Sequence, residues 1–385
     1  MEHRRLCKGV GLLVAVAIAG LVSSCVGHTA HAPSSAAHAS TGPRGTPSGH
    51  VAPAFAMYYL WWDRRHWTSR LGQAYPIAGA DQPLPATLDG SGCATRTDYR
   101  GNVETDISPG LAYDQSDPAV ITDDLRLAAT TGLTGFAVNW AGAGVPNQTV
   151  SSTELNTRLN NVFAAAQRLN AEGTSFKIML NYQSSARRLT TSQFINDLDY
   201  FASTYGKSPA LDHSYSPLPE VIMAGTWKYS DAELATISRA LRGRLYLIGD
   251  EKPSSWDSAR AKYLDGTSYY WSSQNPITNP SSFATLEKFA ELVRATPNPD
   301  GRPKTWLAPF TPGYNAMLRY NSTTCVPRNN GETMRALFDG NAASRPDGWT
   351  LISWNEITEG TYVVPLKRYG TKYVRELRSL LHGHR

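Results

Sequence analysis

A (β/α)8 barrel, an α/β fold in which eight parallel strands alternate with crossover helices, is the architecture this 385-residue sequence predicts. Three observations lead to it. Short runs of β-branched, aromatic and apolar residues alternate with segments of helical periodicity eight times over residues 51–385. Four of the helical segments open on a capping signature: Asp117-Pro118, Ser151-x-x-Glu154, Thr190-x-x-Gln193 and Ser230-x-x-Glu233. No Gly-rich phosphate turn follows the first strand, which disfavours an open doubly wound sheet.

The chain begins with Arg4, Arg5 and Lys8 ahead of an apolar run, Val10 to Val22, too short to span a bilayer comfortably. Residues 1–24 therefore read as an export signal. Leu21-Val22-Ser23-Ser24-Cys25 resembles a bacterial lipoprotein cleavage box, which makes Cys25 the expected site of lipidation and the outer face of the cell membrane the expected location. Ordinary cleavage in the Ala/His-rich segment beyond, giving a secreted protein, is the alternative. Residues 25–50, rich in Ala, Ser, His, Gly, Thr and Pro without apolar period, read as a flexible tether.

Residues 51–385 form the expected single barrel domain. Its strands are predicted at Pro53–Trp62, Gly135–Trp140, Phe176–Tyr182, Val221–Ala224, Leu245–Gly249, Thr267–Ser272, Thr305–Phe310 and from Trp349. The stripe Leu155, Leu159, Val162, Phe163, Ala166 and Leu169 typifies the helices between them. Thr68 to Pro118, rich in Gly, Pro, Asp and Thr, is expected to be an elaborated loop over the barrel mouth after strand 1.

Composition narrows the function. A hydrophobic share of 41% excludes a disordered chain, and the formal charge of +5 comes without a Lys/Arg run, so no nucleic-acid partner is expected. The 19 Tyr and 10 Trp residues suit the faces of sugar rings. With Cys7 in the signal and Cys25 lipidated, Cys93 and Cys325 remain and are expected to pair. Such a bridge stabilises by about 4–5 kcal/mol in the chain-entropy model. No Cys-x-x-Cys or His-x-x-x-His spacing occurs, so no metal and no cofactor are expected. The expected partners are a polysaccharide or glycan and, through the lipid, a membrane; a monomer is expected.

In such barrels the site lies at the carboxyl ends of the strands. Read there, the candidate substrate-binding residues are Tyr59, Trp61 and Trp62; Asn139 and Trp140; Asn181 and Tyr182; Trp227; Asp250 and Glu251; Trp271; Tyr314; and Asn355. Asp63, Gln183, Gln274 and Asn315 stand beside them. Taken singly, an Asn past a strand is more often a turn residue, and a Trp is more often packed under a helix.

The last strand carries the strongest signal. From Trp349 to Pro365 the chain reads Trp-Thr-Leu-Ile-Ser-Trp-Asn-Glu-Ile-Thr-Glu-Gly-Thr-Tyr-Val-Val-Pro. Glu356 and Glu359 stand three apart, so a curled loop brings their Cβ atoms to about 5–6 Å, against roughly 10 Å when extended. Carboxyl groups about 5–5.5 Å apart are the arrangement of retaining sugar hydrolysis.

This stretch resembles the signature of the glycoside hydrolase family 99 endo-α-mannosidases and the related family 71-like proteins, Trp/Phe-Asn-Glu-x-x-Glu-Gly-Thr-x-x-x-Pro. Every fixed position is present: Trp354, Asn355, Glu356, Glu359, Gly360, Thr361 and Pro365. The Tyr-Tyr-x-Trp-Trp ending of the first strand is also similar. Ile357 and Val364 depart from the Trp and Glu common in the family. The resemblance implies an endo-acting, retaining α-mannosidase or α-mannanase in which Glu356 is the base toward the sugar 2-hydroxyl and Glu359 the acid. From the residues alone, the pair is an acid and a base without assignment, and a direct nucleophile stays open. An α-glucanase of the family 71 type, or a carbohydrate-binding surface lipoprotein without catalysis, are the alternatives.

Overall fold

The computed structural model describes residues 52–71, 92–93, 113–147, 149–183, 189–316, 324–366 and 368–383. The expectations for the signal, for the tether and for Cys25 lie outside the described residues. Eight strands form the central sheet: β1 (Ala54–Tyr59), β2 (Gly135–Trp140), β3 (Lys177–Tyr182), β4 (Glu220–Met223), β5 (Tyr246–Asp250), β6 (Gly266–Ser268), β7 (Thr305–Phe310) and β8 (Gly348–Leu351). Each pairs in parallel with its neighbours in sequence, and β8 returns to β1 with Trp349, Thr350 and Leu351 beside Ala54, Phe55 and Ala56. The sheet is therefore a closed (β/α)8 barrel, as the alternation predicts.

The helices around it are α1 (Arg64–Leu71), α2 (Pro118–Ala129), α3 (Ser152–Ala171), α4 (Thr191–Tyr205), α5 (Asp231–Leu241), α6 (Ser258–Ala261), α7 (Ser282–Ala295), α8 (Glu332–Asn341) and α9 (Lys372–Gly383). Their starts follow from the caps. Asp117 accepts from Ala119 N at 2.8 Å, and Ser151, Thr190 and Ser230 each form a complete capping box. The apolar stripe of α3 is buried against the sheet, as its spacing requires. Gly135 has no substitute at its place in β2, since a Cβ there would lie 1.7 Å from the Lys177 carbonyl oxygen of the adjacent strand.

Several boundaries differ from the sequence reading. β1 ends at Tyr59 rather than Trp62, and β8 ends at Leu351. The chain turns into α1 before the expected loop, because the Asp63 carboxylate accepts the His66 amide at 2.8 Å and starts a helix through Leu71. Most of the loop expected to Pro118 lies outside the described residues. At its far anchor, Cys93 is bonded to Cys325, and Asn315 donates to the Gly92 carbonyl at 3.0 Å. Cys325–Val326 also pairs with Tyr314–Asn315 in a small antiparallel ladder that the sequence reading treated as loop.

At the amino end of the barrel, Glu220 opens β4 with no solvent exposure. Its Oε1 accepts the amides of Tyr215 at 2.5 Å and Ser216 at 3.0 Å. Burial, reinforced by the Asp212 carboxylate beside it, pushes the Glu220 acid up to about 10.

Two predictions follow from these features. Thiol titration of the unfolded, unreduced barrel is expected to find no free sulfhydryl from Cys93 or Cys325, and the paired Cys93→Ser, Cys325→Ser variant to lose about 2–5 kcal/mol in a denaturant melt. Folded Glu220 keeps a proton that the unfolded chain releases near about pH 4–5. The unfolded state then binds fewer protons, so stability falls as pH rises from there toward 10. Glu220→Gln is expected to flatten that fall in urea melts between about pH 5 and 9; parallel slopes for the two proteins would count against a protonated Glu220.

Candidate active site at the carboxyl ends of the strands

The loop after β8 is built onto β1. Trp354 N donates to Met57 O at 2.9 Å. The Asn355 amide then takes over the ladder, with Oδ1 accepting Tyr59 N at 2.8 Å and Nδ2 donating to Tyr59 O at 2.9 Å. Asn355 Nδ2 also donates to the Tyr113 hydroxyl at 2.8 Å, and Asn355 O accepts from Trp62 Nε1 at 2.7 Å. With its neighbour fixed in this way, Glu356 enters a 3-10 turn over Ile357–Glu359, which Gly360 closes at φ 65°, a left-handed conformation suited to glycine. Glu359 ends that turn and Glu356 caps it, at φ −83° and ψ 85°, so the chain is curled between the two carboxylates.

Glu356 is 2% exposed, and its backbone N donates to Ser353 Oγ at 2.7 Å. Its Oε1 accepts both Thr358 N, at 3.1 Å, and Thr358 Oγ1. Glu359 is half-buried, and its Oε2 receives a long 3.4 Å contact from the Tyr270 hydroxyl. Tyr270 lies 2.9 Å, hydroxyl to hydroxyl, from Tyr59. Burial first, then the charge of Glu359, the hydroxyl of Tyr59 and the charge of Glu356, hold the Tyr270 hydroxyl protonated well above the usual tyrosine range. Both carboxylates therefore bear on one tyrosyl hydroxyl at the rim.

The register of the strands places more groups beside them. Tyr59, Asn139 and Asn181 are successive partners across β1, β2 and β3. Asn139 Oδ1 and Asn181 Oδ1 are buried and accept no hydrogen bond from the described residues, while Asn181 Nδ2 has only the Met57 sulfur, at 3.2 Å. A buried amide oxygen without a donor costs about 1–3 kcal/mol. A hydroxyl-bearing ligand would supply that donor. Trp61 packs on Tyr59 with ring centroids 4.5 Å apart, and Trp271 stacks on Tyr269 at 5.2 Å past the end of β6.

Other candidates stand elsewhere. Trp140 and Tyr182 follow the two asparagines, and strand alternation turns them outward under the helices, where Trp140 Nε1 donates to Asn156 of α3 and Tyr182 to Asp197 of α4, both at 2.8 Å. Trp62 is fully buried, stacked on Trp67 at 4.3 Å. Asn355 is likewise fully buried, its amide engaged by Tyr59 and Tyr113. Glu251 turns into the wall and pairs with Arg260 Nε at 2.9 Å. Asp250 accepts Gly225 N at 2.8 Å and Tyr270 N at 2.9 Å, which makes it a support for the Tyr270 backbone rather than a rim group. Burial pushes Asp250 up to about 6, against the pull of those two amides. Trp227 has the Lys252 ammonium 3.6 Å above its ring, so a cation already occupies one face. Tyr314 belongs to the ladder beside Cys325.

Tyr270 and Tyr113 escaped the sequence reading. The run Tyr269-Tyr270-Trp271, inside the predicted strand Thr267–Ser272 but past the observed end of β6 at Ser268, was the available signal for the first; nothing local marks the second.

No family model and no curated protein matches this sequence. Among solved structures, the fold is that of a family 99 glycoside hydrolase, the endo-α-mannosidase of Bacteroides thetaiotaomicron. Its complex with BIS-TRIS-propane matches with TM-score 0.61 at 17% identity over 86% of this chain and 96% of that one. A second structure of that enzyme agrees at the same TM-score and identity, over 86% and 97% of the two chains. A glycoside hydrolase-like protein matches with TM-score 0.53 and 13% identity over 79% and 97%. The likeness is one of fold.

Glu251→Ala removes the buried carboxylate on Arg260 Nε while Asp231, at 3.1 Å, and the carbonyls of Tyr229 and Thr226 keep the rest of the guanidinium paired, and is expected to cost about 1–3 kcal/mol in a denaturant melt. An unchanged midpoint would return Glu251 to the list of rim candidates.

Proposed function

We propose that this chain is a glycoside hydrolase acting on an α-linked polysaccharide or glycan, and that its substrate is an α-mannan. The observation that carries the reading is the buried Glu356 and the half-buried Glu359 on one curled loop at the carboxyl rim of a closed barrel, with the Tyr270 hydroxyl 3.4 Å from Glu359. The motif resemblance and the shared fold support it, as do the unsatisfied amide oxygens of Asn139 and Asn181, which match the hydroxyl donors of a sugar.

In the proposed reaction Glu356 accepts the proton of the sugar 2-hydroxyl while O2 attacks the anomeric carbon. The glycosidic bond breaks as Glu359 protonates the departing oxygen, leaving a 1,2-anhydro sugar. Glu359, now a carboxylate, takes a proton from water as the water oxygen bonds to the anomeric carbon, the bond from that carbon to O2 breaks, and O2 recovers its proton from Glu356. Two inversions give net retention. The route also selects the sugar. An α-mannoside places O2 trans to the leaving oxygen, as backside attack requires, whereas an α-glucoside places it cis. The motif resemblance assigns Glu356 the base role and Glu359 the acid role; the greater exposure of Glu359, which must meet the leaving group and water, supports that assignment.

Export also belongs to the proposal. The basic n-region, the short apolar run and the box ending at Cys25 support a lipid-anchored protein facing a polymer outside the cell.

Incubation with α-mannans and α-glucans, read by mass and anomeric configuration, is expected to give shorter α-mannan fragments with the α configuration kept. Glu356→Gln and Glu359→Gln are each expected to lower kcat at least about 10³-fold with the melting temperature within a few degrees of wild type. Cleavage of α-glucan alone would move the substrate class; polysaccharide retention without new reducing ends would make the chain a binding protein; wild-type rates in either variant would remove that glutamate from the mechanism.

A further inference from the structure

The hydrogen bonds behind the rim run in one direction, and they end on a residue outside the sequence signature. Asp124, on α2, is buried and accepts three donors: Tyr58 Oη at 2.9 Å and Tyr113 Oη at 2.6 Å on Oδ2, and Trp354 Nε1 at 3.0 Å on Oδ1. Tyr113, having given its proton to Asp124, accepts from Asn355 Nδ2 at 2.8 Å. Asn355 must then present Oδ1 to Tyr59 N, which is the orientation observed. An ionised carboxylate only accepts, a tyrosyl hydroxyl gives one proton, and an amide has one donor end and one acceptor end.

We infer that Asp124 is a positioning residue for the active site, fixing through Tyr113 the orientation of the Asn355 amide and so the seat of Glu356. The inference rests on the proposed hydrolase activity for its kinetic consequence but not for its structural one. Asp124 grips the loop at two successive residues, directly at Trp354 and through Tyr113 at Asn355, and Glu356 follows them. Its role depends on being an acceptor at every contact. In Asp124→Asn, an NH2 placed at the Oδ2 position faces two hydroxyls. If Tyr113 turns to accept from it, that hydroxyl receives two donors and its own proton loses its acceptor. Placed at the Oδ1 position, the NH2 faces the Trp354 N–H, which only donates. The first choice leaves a buried hydroxyl proton without its acceptor, and the second breaks the direct link to Trp354.

Tyr58 separates positioning from simple packing. It bonds to the same carboxylate, and its hydroxyl also neighbours Tyr113 and Gln115, but it makes no direct hydrogen bond to Asn355 among the described residues. If Asp124 served stability alone, Tyr58→Phe and Tyr113→Phe would act alike.

The experiment compares Asp124→Asn, Tyr113→Phe and Tyr58→Phe by crystal structure and by steady-state kinetics on the α-mannan that wild type cleaves. Asp124→Asn and Tyr113→Phe are expected to displace the Glu356 carboxylate by more than about 0.5 Å, enough to lose productive geometry. They are also expected to lower kcat by about 10–100-fold with KM within about threefold. Tyr58→Phe is expected to leave both unchanged. An unmoved Glu356 in Asp124→Asn and Tyr113→Phe overturns the inference, as does an equal loss of kcat in Tyr58→Phe and Tyr113→Phe. If wild type cleaves no glycan, the hydrolase reading fails and the position of Glu356 in the two structures alone decides. If Asp124→Asn does not fold, Tyr113→Phe, which removes one hydroxyl, carries the test.

Discussion

The barrel closes at its last seam with a side chain. β8 pairs with β1 over three residues only, ending at Leu351 opposite Ala56. Beyond that point the seam continues through Trp354 N on Met57 O, and then through the Asn355 amide, which meets the N–H and C=O of Tyr59 as an adjoining strand would. A gap at Asn355 would leave the buried Tyr59 N–H without its acceptor, at about 1–3 kcal/mol, while the Tyr59 carbonyl would keep its bond from Gln115 Nε2. The residue that prevents it stands next to Glu356. Closure of the fold and placement of the first glutamate are therefore one structural event, and a change at Asn355 acts on both together.

The same economy appears across the mouth. Glu359 meets Tyr270, and Tyr270 is held by Asp250, whose two oxygens take the amides of Tyr270 and Gly225. The two rim glutamates thus rest on two buried aspartates, Asp124 behind the β8–β1 side and Asp250 behind the β5–β6 side. Burial pushes each aspartate up to about 6. The donors around each oppose that shift, so an ionised acceptor is affordable in the wall near neutral pH. A neutral amide in either place would have to turn a donor toward a donor.

How much of this was legible in the sequence depended on how local its cause is. The helices start where the caps at Asp117, Ser151, Thr190 and Ser230 put them, because a cap involves residues two or three apart. The Cys93–Cys325 bond followed from a count, since the expected signal and lipidation site account for Cys7 and Cys25. The glutamate pair and its curled loop were readable because Gly360 marks the turn. What stayed hidden was the phase of each strand end. Asn139 and Trp140 look equally suited to a sugar, yet one faces the mouth and the other packs under α3, and only the barrel's register decides which. Asp250 and Glu251 part as well, Asp250 to the amides of Gly225 and Tyr270 and Glu251 to Arg260. Asp124 and Tyr113 are 230 and 241 residues before Trp354, counted along the chain, and their role arises only once the helix packs behind the seam.

The two departures from the family signature can be placed physically. Ile357, where the family commonly has Trp, and Val364, where it has Glu before the proline, are both buried in the apolar core. Val364 N and Val363 N both bond to Trp354 O, so this segment folds back on the loop that carries the glutamates. A Trp in place of Ile357 would need more volume behind that loop, and a Glu in place of Val364 would need a buried partner for its charge. The changes thus belong to the packing that backs the site. Under the proposed activity, selection among sugars is assigned instead to Asn139, Asn181, Tyr59 and Tyr270, whose polar atoms are set by strand register and by Asp250 rather than by the signature itself.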